Sequence, residues 1–91
     1  MLEGKTASGF AYAIDEEALD DMEFLENLIS YEDGNKKLMP KLCEQFLGKE
    51  QKDALYEYCR GAKGRVSASK VMGEMNDILV NVGKKDSDVK N

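Results

Sequence analysis

The sequence predicts an α+β domain, an N-terminal β-hairpin packed on a small bundle of about four helices. Three observations predict it. Phe10, Tyr12 and Ile14 alternate with the small residues Ala11 and Ala13, the two-residue period of a half-buried strand. Beyond residue 15, apolar residues recur at three- and four-residue intervals in successive stretches, the period of helices with one buried face. Turn residues punctuate those stretches at Ser8-Gly9, Gly34-Asn35, Gly48 and Gly61 to Gly64.

In chain order, Leu2 to Ala7 supply the first, weaker strand, Ser8-Gly9 a two-residue turn, and Phe10 to Ile14 the second strand. A two-stranded ribbon is marginal alone, so its Phe10, Tyr12, Ile14 face is expected on the helices. Asp15 is placed as a helix cap, and Asp20 with Glu23 as a second cap-like pair. Leu19, Met22, Leu25, Leu28 and Ile29 then trace a core-facing stripe, with Phe24 off it. Gly34 suits a left-handed turn and Asn35 a cap.

The next helix carries Leu38, Leu42 and Phe46 and is expected to begin close to Pro40, because proline is tolerated where N–H groups lack partners anyway. Gly48 closes it. A third helix, about Lys49 to Cys59, turns Leu55, Tyr58 and Cys59 inward. Ser67 caps the last helix, Val66 packs back on Val71, and Val71, Met75, Ile78, Leu79 and Val82 form its stripe up to Gly83. Residues 1–82 thus form one domain, with a disordered polar tail at 83–91.

A chain of 91 residues with a formal charge of −5 buries a modest core, which makes association with a partner or with itself a natural source of further stability. The charge is uneven. Residues 1–35 hold one lysine against ten carboxylates, net −9, whereas residues 36–91 hold twelve basic residues against eight acids, net +4. This balance argues against nucleic acid and anionic membranes, which require clustered Lys and Arg. With no His and no CxxC pair there is no zinc-ligand set, and Cys43 and Cys59 read as reduced core thiols of a cytoplasmic protein. The turn at residues 31–35 lacks the oxygen spacing of a calcium loop. Catalytic constellations, Gly-rich phosphate loops, signal-peptide pattern and bilayer-length apolar runs are also absent from the sequence, so the expectation is a protein-binding module, with no enzyme activity, no cofactor and no membrane partner.

Two groups of candidate contact residues follow. Phe24, Met39, Tyr56 and Met72 are off-stripe apolar bulk of the kind that marks a partner surface. The run Ile14 to Ile29 holds seven carboxylates, most of them suited to a positive helix start; Glu16, Glu17, Asp21 and Glu23 are the ones expected to face outward, toward a basic partner. Met22 and Met75 are placed in the core.

The order of several short segments resembles the small tail assembly chaperones of long-tailed bacteriophages and prophages of Gram-positive hosts. The likeness covers about residues 8 to 82: Ile14 to Glu23 in an acidic helix start, Pro40-Lys41 to Leu47-Gly48, Glu50-Gln51-Lys52, and Gly64-Arg65-Val66 leading into the last helix. The family's acidic turn before Gly-Arg-Val is replaced here by Gly61-Ala62-Lys63. The resemblance implies a non-enzymatic cytoplasmic helper that coats the helical tape measure protein, using an apolar groove between helices. It also implies a longer product made by ribosomal slippage, for which the codons of Gly83-Lys84-Lys85 are the place to look. Two readings from other classes compete: an acidic regulatory or inhibitor module, and a plain structural subunit that forms a homo-oligomer.

Overall fold

In the computed structural model, a hairpin of β1 (Leu2–Lys5) and β2 (Ala11–Ile14) leads into α1 (Glu16–Leu19), α2 (Met22–Glu32), a short 3-10 turn (Lys36–Leu38), α3 (Met39–Tyr58) and α4 (Ala68–Lys90). The α+β expectation holds. The structure describes the backbone of residues 1–90 and the side chains through Gly83, so the tail expected at 83–91 lies, beyond Gly83, outside the fully described residues. Gly83 lies within α4 and does not close it.

The strands pair antiparallel, Leu2 opposite Ile14 and Gly4 opposite Tyr12. Thr6 N–H donates to the Phe10 carbonyl (2.9 Å), and Gly9 N–H closes the turn on the Thr6 carbonyl (3.0 Å). Inside the Thr6–Phe10 pair the turn is therefore three residues long, Ala7 to Gly9, and not the two expected, with Gly9 at φ 108°, a left-handed conformation that glycine adopts without steric cost. Phe10, Tyr12 and Ile14 are buried, as their alternation required. The opposite hazard of a ribbon, its unpaired edge, is met at β2 by Gln51 of α3. Its amide accepts from Ala13 N–H (2.8 Å) and donates to the Ala13 carbonyl (2.7 Å), doing what a third strand would do.

The hairpin tip is clasped by α4 and α3. Glu74 accepts from the Thr6 and Ser8 hydroxyls (2.7 and 2.9 Å), Asp77 accepts from Ala7 N–H (2.6 Å), and the Tyr58 hydroxyl donates to the Ser8 carbonyl (2.8 Å). Tyr58 was expected inward. It is 46 % exposed, because its ring leans on Phe10 at 5.3 Å while its hydroxyl reaches the tip.

Gly48 breaks α3 as the sequence indicated: at φ 81°, ψ 162° it occupies backbone space that is essentially glycine-only. Pro40 sits in the first turn of α3, where its missing N–H costs nothing. Asn35 precedes the 3-10 turn but makes no side-chain cap. Ser67 does cap α4, accepting from Lys70 N–H (3.3 Å). The core joins the strand face to Leu42, Cys43, Phe46, Leu47, Leu55 and Cys59 of the α3 region and to Val71, Met75, Ile78 and Val82 of α4. Both cysteines are free and buried.

The orientation of α2 differs from the sequence-based expectation. Phe24 is 4 % exposed and stacks on Phe46 with ring centroids 5.2 Å apart and planes within 5°. Met22, Leu25 and Ile29, expected in the core, are 63 %, 44 % and 52 % exposed. The helix carries apolar residues on two faces, and the flat aromatic partner on α3 selects the face bearing the larger ring.

Candidate functional site

Three of the four apolar candidates converge. Met39 at the start of α3, Tyr56 near its end and Met72 in the first turns of α4 line one open groove of about 340 Å³, together with Pro40, Val66 and Val71 and with Lys36 at its rim. Met39 is buried and forms the floor; Tyr56 and Met72 are half-buried walls. This juxtaposition depends on local features that bring the chain back on itself. The Arg60 guanidinium donates to the Gly64 carbonyl (2.6 Å), Gly61 N–H donates to the Arg65 carbonyl (2.8 Å), and Arg60 bridges Val66, so the 60–66 loop delivers Val66 to the rim before Ser67 starts α4.

The groove is apolar but not featureless. The Lys52 ammonium stands 5.5 Å from the Tyr56 ring centroid, and burial holds the Tyr56 phenol above its usual range, with the nearby Cys43 adding to the effect. Lys36 sits 4.1 Å from the Tyr31 ring centroid. Beneath the groove the Cys43 thiol touches the Met39 sulfur at 3.6 Å; desolvation pushes its pKa up to about 11, so at neutral pH it is a packed thiol and not a nucleophile. Burial likewise pushes the Cys59 thiol up.

Phe24 does not belong to this groove. Expected at the surface, it is a core residue, and the neighbouring positions Met22, Leu25 and Ile29 hold the exposed apolar surface of α2. Among the acids, Asp15 caps α1 by accepting from Glu17 N–H (3.0 Å). Asp21, and not Asp20, caps α2, accepting from Glu23 N–H (2.9 Å) and Phe24 N–H (3.4 Å). Glu16 pairs with the α-amino group of Met1 at 2.7 Å, while Glu17 and Glu23 are exposed. The acids and the apolar groove therefore form two separate surfaces. Sequence reasoning did not give Lys36 or Pro40 a place in the groove; their signal was adjacency to Met39, which the 3-10 turn folds inward.

Among the described residues no cluster of His, Cys, Asp and Glu is arranged to hold a metal ion, and no helix is long and apolar enough to cross a membrane. No family model, curated protein or solved structure matches the chain.

Proposed function

We propose that this chain is a non-enzymatic assembly chaperone of a long-tailed phage or prophage, acting in the host cytoplasm, and that it holds an amphipathic helix of the tape measure protein in the α3/α4 groove. The observation that carries this reading is the convergence of Met39, Tyr56 and Met72, chosen from sequence as surplus apolar bulk, into one groove with Pro40, Val66 and Val71. Methionine suits such a site, because an unbranched and polarizable side chain adapts to successive, non-identical turns of a long helix. The ordered segments from Ile14 to Val66 give the reading its family direction.

Co-expression with a tape measure protein tests it. The expected result is a soluble complex that survives about 0.5 M salt, since apolar contacts are not screened, and that is lost with Met72→Asp or, as a gentler variant, weakened with Tyr56→Ala. A tape measure protein that stays insoluble and unbound contradicts the proposal. Binding that collapses between low and physiological salt favours the acidic regulatory module instead.

A further inference from the structure

A second surface lies on the acidic side of the molecule. Leu25 and Leu28 of α2 face Leu79 and Val80 of α4 across a groove of about 400 Å³ whose floor is Phe24. Met22 and Ile29 continue the Leu25 wall by one turn in each direction, being three and four residues away along the helix. Leu25, Ile29 and Val80 are each more than two-fifths exposed, and Met22 more so. Such a stripe on a monomer's outer face is more apolar surface than solubility favours.

Among the described residues lining this groove, the charge is of one sign, that of Glu32. At about 100° per residue, Glu26 and Glu32 flank the Met22, Leu25, Ile29 stripe on either side, and Glu32 itself lines the groove. Glu17, Asp20 and Asp21 line the adjoining depression with Met22. No Lys or Arg occurs between Thr6 and Asn35, so no cation of α1 or α2 offsets these carboxylates. We propose that the α2/α4 groove is a docking site for an amphipathic helix whose apolar stripe is flanked by lysine or arginine. The apolar walls bury the stripe and the carboxylates meet the cationic flanks, which raises the association rate and selects against acidic helices. An isologous dimer through this face would set two acidic surfaces against each other, which disfavours a second copy as occupant. The length of α2, 11 residues or about 16 Å, matches about three turns of the incoming helix. The site shares no lining residue with the α3/α4 groove and does not depend on the phage reading.

Two synthetic peptides of about 18 residues with the same leucine stripe, one flanked by lysine and one by glutamate, test the proposal against the full chain by calorimetry and amide shift mapping. The lysine peptide is expected to bind at least about tenfold more tightly than its twin at low salt, with shifts at residues 22–29 and 79–80, and Leu25→Asp is expected to weaken it by about tenfold or more. The double variant Glu26→Lys, Glu32→Lys is expected to reverse the preference, a gain of binding that misfolding does not mimic. Equal binding of the twins, shifts confined to the Met39, Tyr56, Met72 groove, or self-association dispersed by Leu25→Asp would each overturn it.

Discussion

α2 and α4 are both amphipathic helices packed on the same core, yet they relate differently to their sequences. In α4 the buried residues Val71, Met75, Ile78 and Val82 recur at intervals of three and four, as read from the sequence, on a single narrow stripe, with the polar Glu74, Asn76, Asp77 and Asn81 between them. In α2 the apolar residues Met22, Phe24, Leu25, Leu28, Ile29 and Tyr31 populate two faces, and the one turned inward carries Phe24, Leu28 and Tyr31. A helix with one apolar face has its orientation written locally. A helix with two is oriented by its neighbour, and the face left over becomes available to a partner.

A large effect on this comparison is expected on α4. Ile78 is fully buried, so Ile78→Ala removes apolar contacts and leaves a cavity, and urea denaturation is expected to show a loss of about 2–5 kcal/mol. The caps come next. Asp21 accepts from two N–H groups at the start of α2 and Ser67 from one at the start of α4. Asp21→Ala is expected to cost about 1 kcal/mol and Ser67→Ala somewhat less, read as midpoint shifts at constant slope. The smallest effect belongs to the outer face of α2: Met22→Lys with Ile29→Lys is expected to leave stability within about 0.5 kcal/mol per site. A large loss there would mean that this stripe is covered in the folded chain.

The legible parts of the molecule are those fixed by neighbours in sequence. The alternation of Phe10, Tyr12 and Ile14, the break at Gly48, the first-turn place of Pro40 and the Ser67 cap all depend on a few consecutive residues, and each is as expected. What was not legible depends on distant partners. Glu74 and Asp77 bind the hairpin tip across 66 to 70 residues of chain, and no periodicity announces such a contact. Tyr58 leaves its helical stripe for the same tip. The cap of α2 moved by one residue, from Asp20 to Asp21, because two adjacent aspartates offer the same chemistry and the turn geometry chooses between them. Of the candidate site, Met39, Tyr56 and Met72 were visible as surplus bulk, but their meeting place depends on the 60–66 loop; Phe24 was misplaced because its stacking partner, Phe46, lies on another helix.

The central claim is that α2 turns Phe24 inward and leaves Leu25 at the surface. Urea denaturation of Phe24→Ala beside Leu25→Ala tests it most directly. The account predicts a loss of about 3–4 kcal/mol for Phe24→Ala, from the stacked ring and its cavity, and less than about 1 kcal/mol for the half-exposed Leu25. Equal losses, or a larger loss at Leu25, would contradict it and return the stripe of Met22, Leu25 and Ile29 to the core.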